Sequence, residues 1–142
     1  MADTRKKKRI VIMAIKPKYA EAIYSGGKRW EFRKAPPPVP DWVWLYESAP
    51  VSAITGRVFL AAKIQGHPES VWSMVKTQKT IGGGAGITEK EFRDYVGKKL
   101  SVAACATFFA ERTAGPIPLP TGVRPPQNWG RYIIGDEESD NG

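Results

Sequence analysis

Residues 35–40, "APPPVP", restrict the fold more than any other stretch of this 142-residue chain. Proline has no N–H for a ladder and breaks a helix from within, so the segment is a loop. The residues on either side alternate with period two. In "KRWEFR" Trp30 and Phe32 point one way, while Arg29, Glu31 and Arg33 point the other. In "DWVWLYES" Trp42, Trp44, Tyr46 and Ser48 share one face, opposite Val43, Leu45 and Glu47. Two short strands separated by a forced break are therefore expected.

The other elements follow from local signals. "RIVIMAI" (9–15) has the length and apolarity of a buried strand. Pro17 then suits a first helical turn, Tyr19/Ile23 and Ala20/Tyr24 stand four apart, and Gly26-Gly27 stops the helix. "ITGRVFLAAKI" predicts a strand after a turn near Pro50. "PESVWSMVKT" has helical periodicity, with apolar residues at 71, 72, 74 and 75. "TIGGGAGI" predicts a flexible loop, and "TEKEFRDYV" opens with a capping box of Thr88 and Glu91. "SVAACATFFA" predicts a buried strand, "GPIPLPTGVRPPQNW" a long connection and "RYII" a last strand. The order β-α-β-β-β-α-α-β-β lacks the regular alternation of a doubly wound fold. It predicts an α+β domain, a small, mostly antiparallel barrel of about five or six strands with short flanking helices.

A chain of this length buries enough surface to fold without staples. Its single cysteine, Cys105, and single histidine, His67, leave no disulfide framework and no Cys/His zinc site, so no metal or cofactor is expected. No apolar run approaches the roughly 20 residues of a membrane span, and the basic start lacks signal-peptide features, so a cytoplasmic monomer is the expectation. The net charge is +8. The two ends cancel, with +4 on residues 1–9 and −4 on residues 136–142, so residues 10–135 carry the whole excess. Residues 1–9 are expected to be a flexible basic arm, 10–135 the domain and 136–142 a disordered acidic tail. A basic folded part favours a polyanionic partner such as nucleic acid.

The cations concentrate in "IKPKYAEAIYSGGKRWEFRK" (15–34), around Glu31 and Glu21. Lys16 and Lys18 flank a helix entry whose dipole is already positive, an arrangement that a bound anion would stabilise. Lys28, Arg29 and Arg33 adjoin them from the next strand. Glu31 is either an orienting partner for Arg33 or a general base beside Lys28 or Lys16. Near the C-terminus, "PPQNWGRY" places Gln127, Trp129, Arg131 and Tyr132 together, with aromatic rings suited to holding an unpaired base.

These blocks resemble the ASCH family, related to the PUA superfamily. The resemblance rests on residues 15–34, 41–58, 86–99 and 125–132 and runs from about residue 10 to 134. It implies a PUA-like barrel with a cleft beside the first helix, and RNA as partner. The candidate contacts are Lys16, Lys18, Tyr19, Lys28, Arg29, Glu31, Arg33, Gln127, Trp129, Arg131 and Tyr132. One branch is similar to an amidohydrolase of N4-acetylcytidine. Lys28 matches its lysine, while Glu31 stands where its threonine belongs. Another branch is similar to a metal-independent ribonuclease using lysine, tyrosine and serine, for which Lys28, Tyr46 and Ser48 are the candidates.

Overall fold

The structure, a computed structural model, describes residues 7–77 and 85–135. The elements follow the expected order: β1 (Lys7–Ile15), α1 (Pro17–Ser25), β2 (Trp30–Arg33), β3 (Asp41–Glu47), β4 (Ala53–Gly66), α2 (Pro68–Thr77), α3 (Glu89–Val96), β5 (Val102–Ile117) and β6 (Trp129–Gly135). All six strands belong to one sheet in the order β2-β5-β4-β3-β1-β6. Among the described residues only β1 and β3 run parallel, and the other four pairings are antiparallel.

The sheet is mixed and open, where a barrel was expected. Its edge strands β2 and β6 share no ladder, yet side chains tie them together. Arg33 at the end of β2 donates to the Asn128 side-chain oxygen at 2.7 Å and to the Ala14 carbonyl on β1 at 2.6 Å. Asn128 and the Trp129 indole N–H both donate to the Ala35 carbonyl, at 2.8 and 3.0 Å. The prolines after Ala35 are the reason the ladder stops: beyond Arg33 the chain has no run of N–H groups to offer.

Two boundaries differ from the sequence reading. Residues 7–9, assigned to the basic arm, begin β1 and pair with β6 from Lys7↔Gly135 onward. β5 runs past the expected "SVAACATFFA" to Ile117 because the long β4 supplies a partner as far as Ile54↔Ile117. The basic residues 1–6, most of the glycine loop (78–84) and the acidic tail (136–142) lie outside the described residues. Among the described residues, no helix is long and apolar enough to cross a membrane.

Alternation along β5 divides the core between the two sheet faces. Cys105 joins Val11, Met13, Val43, Leu45, Val58 and Leu60 against Ala20 and Ile23 of α1. Ala104 and Val102 join Trp30 and Phe32 against Val71, Trp72 and Val75 of α2 and Phe92 and Val96 of α3. The Phe92 ring stacks on Trp72 at 4.8 Å and meets the Phe32 ring edge-on at 5.0 Å, geometry that adds to the gain from burial. α3 carries the expected capping box, with Thr88 and Glu91 each bonded to the other's backbone N–H. α1 ends at Gly26, whose φ of 89° is the left-handed conformation glycine adopts freely.

Gly56 is a packing constraint: a Cβ there would come within 2.3 Å of the Glu111 carbonyl oxygen and 2.5 Å of the Tyr24 hydroxyl. Gly56→Ala should therefore cost about 1–3 kcal/mol, read as a lower urea midpoint. Gly66→Ala meets nothing within 4 Å and should stay within about 0.5 kcal/mol of wild type.

Candidate functional site

A cavity of about 410 Å³ opens between α1 and α3 across the free edge of β2. Lys16 occupies the N-cap position of α1 and Tyr19 lies within it; Glu91, Asp94 and Tyr95 come from α3, and Ile87 from the segment before it. Lys28, Glu31, Phe32 and Arg33 form the floor. Because β2 is an edge strand, side chains from both of its faces reach this opening.

Lys28 is held from several directions. Its N–H donates to the Ala22 carbonyl at 2.9 Å, and its carbonyl accepts from the Thr107 hydroxyl at 3.2 Å. Gly86 lies directly on its side chain, since a Cβ there would meet the Lys28 Cβ at 2.4 Å. The amine is 2% exposed at the residue level, donates to the Ala85 carbonyl at 3.1 Å and lies 3.8 Å from a Glu31 carboxylate oxygen. The Phe32 and Tyr19 rings stand 4.9 and 5.6 Å away. Burial pushes the Lys28 pKa below the ordinary 10.5; Glu31 opposes that shift and Arg33 reinforces it.

Arg33 orients Glu31. Its Nε and one terminal nitrogen each lie 2.8 Å from the same Glu31 oxygen, leaving the other oxygen toward Lys28. With its remaining donors on Asn128 and Ala14, Arg33 has all three nitrogens engaged within the protein. A fully engaged guanidinium is a structural tie, so the expectation that Arg33 grips phosphate does not match this geometry.

Glu91 ties α1 to α3 at the mouth. One of its oxygens accepts from Lys18 at 2.7 Å and from the Tyr19 hydroxyl at 2.9 Å. These bonds and the Thr88 backbone hold its carboxyl down at about 2. Glu91 and Tyr95 were missed as site residues, although the capping box had already fixed where α3 begins. Asn128 was missed too; no local pattern says which residue of a proline-rich connection will meet Arg33.

The predicted residues divide into two groups. Lys16, Tyr19, Lys28, Glu31 and Arg33 converge on the cavity. Lys18 is exposed and occupied by Glu91. Arg29 does not line the cavity; its carbonyl accepts from the Thr107 N–H at 3.0 Å. Trp129 packs against the α1 core with its indole N–H on Ala35, and Arg131 lies 5.2 Å from its ring. Tyr132 donates to the Arg124 carbonyl at 2.9 Å, and Gln127 is exposed. Tyr46 lies near the C-terminal end of β3 and Ser48 just after it, with the Ser48 N–H on the Ile15 carbonyl at 2.9 Å. None of these last six residues lines the cavity.

The wall is also less cationic than the sequence suggested. Lys16, Lys28 and Arg33 face Glu31, Glu91 and Asp94, so the formal charges balance.

The ASCH domain family model matches residues 13–103. The chain belongs to the ASCH domain family. It is 34% identical over 97 residues to an ASCH domain-containing ribonuclease of Zymomonas mobilis subsp. mobilis. That match spans 67% of this chain and 61% of the relative, less than two-thirds of its length. The crystal structure of the ASCH protein from Zymomonas mobilis superimposes with a TM-score of 0.74 at 25% identity, covering 92% of this chain and 90% of that one. A single-substitution variant of that protein gives 0.74 and 25%, with 94% and 95% covered. This is an ASCH fold, PUA-like in its α+β architecture.

Two outcomes test the site's electrostatics. Lys28 binds its proton less tightly folded than unfolded, so its burial penalises the fold at neutral pH. That penalty fades as pH rises through the lowered folded pKa toward 10.5. Wild type should therefore gain stability on Lys28→Met over that interval, read from urea midpoints at stepped pH. Glu91 behaves oppositely: its contribution is complete above about 4.5 and lost as pH falls through about 2. Glu91→Gln should flatten that acid limb of the unfolding profile.

Proposed function

We propose that this ASCH domain protein binds single-stranded RNA and seats one unpaired nucleotide in the cavity between α1, β2 and α3. The observation that carries the reading is the wall chemistry around Lys28. An amine and three carboxylates offer donors and acceptors, and Tyr19 and Phe32 offer ring faces, the groups that recognise the edge and face of a nucleobase. The volume suits a ligand of nucleoside size. Lys16, exposed at the rim, is the group placed for phosphate. The net charge of +8 and the name of the Zymomonas relative support RNA as the polymer.

One observation favours a second reading, hydrolysis in the same cavity. Burial lowers the pKa of the Lys28 amine, which makes its neutral form easier to reach and suits it to act as a base. Acting on RNA, Lys28 would take the proton of a ribose 2′-hydroxyl while that oxygen attacks phosphorus. The bond from phosphorus to the 5′-oxygen breaks, and water protonates the leaving oxygen. The products are a 2′,3′-cyclic phosphate and a 5′-hydroxyl. An N-acyl pyrimidine such as N4-acetylcytidine is the competing substrate of the hydrolytic reading.

Labelled single-stranded RNA should bind with affinity that falls steeply as salt rises, since each phosphate contact releases counterions. Affinity flat in salt would rule out the binding reading. In parallel, wild type and Lys28→Ala are incubated with labelled RNA and with N4-acetylcytidine. Turnover lost in the variant, with a rate that rises with pH below 10.5, establishes the hydrolase. No turnover on either substrate leaves a binding module.

A further inference from the structure

An aromatic surface that the cavity does not use lies over β3, β4 and β5. Trp42 stands across from Phe59, and Trp44 across from Arg57. These residues alternate with Val43, Leu45, Val58 and Leu60, which are buried against α1, so they occupy the opposite sheet face. The Trp42 and Phe59 rings are 5.4 Å apart, and Phe109 lies 6.5 and 6.4 Å from them. The Arg57 guanidinium sits 4.1 Å from the Trp42 ring centre and 5.8 Å from that of Trp44. Glu111 steadies it with a 2.6 Å hydrogen bond.

Phe109 is the least expected member. The sequence places it in a buried strand, yet it is 71% exposed, and its neighbour Phe108 is 45% exposed. Its φ of 55° is left-handed, an uncommon and strained conformation for a bulky side chain. The β4–β5 register shifts between Arg57 and Phe59 at the same level, as a bulge would require. Burial does not explain a strained ring that faces solvent.

We propose that this face is a stacking platform for two neighbouring bases of single-stranded RNA, one on the Phe109 ring and one on the Arg57–Trp42 pair. It rests on the RNA-binding reading above and adds a second contact surface, separate from the cavity. The chemistry favours nucleic acid over an apolar protein partner or a second copy of this chain. The Arg57–Glu111 ion pair lies within the surface, and an apolar partner would have to desolvate it. A base instead stacks on rings and on a guanidinium plane while its backbone remains in water. Lys8, exposed on β1 and in alternation with Ile12 across from Trp44, lies on the same face for a phosphate. The +8 of residues 10–135 supplies the long-range attraction.

The test is anisotropy titration of a labelled, unstructured single-stranded RNA of about twelve nucleotides with the full chain, at low and high salt. Phe109→Ala should weaken binding by about tenfold or more with an unchanged salt slope, because stacking releases no counterions. Phe109→Tyr should restore it. Trp42→Phe should remove part of the tryptophan quenching that RNA causes. Phe109→Gly relieves the left-handed strain, so it should raise Tm while still losing RNA. Wild-type RNA binding that Phe109→Ala and Phe109→Gly both leave intact overturns the platform and spares the cavity reading. A wild type that binds no RNA overturns both. Sedimentation showing a dimer that Phe109→Ala dissolves assigns the face to a second copy and overturns the platform.

Discussion

The rest of the structure depends on one buried guanidinium. Arg33 bonds Glu31 on its own strand, Ala14 on β1 and Asn128 just before β6, so a single side chain joins both edges of the sheet. A ladder would have done this with backbone groups, but the prolines that follow β2 remove them. Buried charge is costly unless every donor finds a partner. Arg33 meets that condition, with all three of its nitrogens engaged within the protein.

The same tie shapes the cavity. Arg33 takes one Glu31 oxygen and turns the other toward Lys28, which otherwise faces two aromatic rings and one carbonyl. Desolvation then prevails over the attraction of Glu31, and the amine binds its proton less tightly than a free lysine does. The cavity is thus a balanced set of donors and acceptors around a perturbed amine. That chemistry suits a base edge better than a bare phosphate.

Gly86 and Glu91 show how tightly the mouth is fitted. Gly86 lies against the stem of Lys28 with no room for a methyl group, and Glu91 joins the two helices that form the walls. The carboxylate that caps α3 also receives Lys18 and Tyr19. A local helix signal and a long-range tie therefore share one residue.

Residue type and spacing alone determined the order of the nine elements, because proline breaks, alternation and caps act over a few neighbouring residues. They also marked Lys16, Lys18, Lys28, Arg29, Glu31 and Arg33 as one cluster within a single helix-turn-strand unit, of which Lys18 and Arg29 do not line the cavity. Only the tertiary structure decided the partners those groups would have. Glu91, Asp94 and Tyr95 arrive from a helix some sixty residues away, and the two carboxylates neutralise the wall. Asn128 arrives from farther still and occupies Arg33. Trp129 and Tyr132 looked like free rings, yet the fold engages their polar atoms, while Phe109, in an apolar run, faces water. Charge and exposure are properties of what surrounds a side chain, and those surroundings are assembled by contacts that local sequence does not encode.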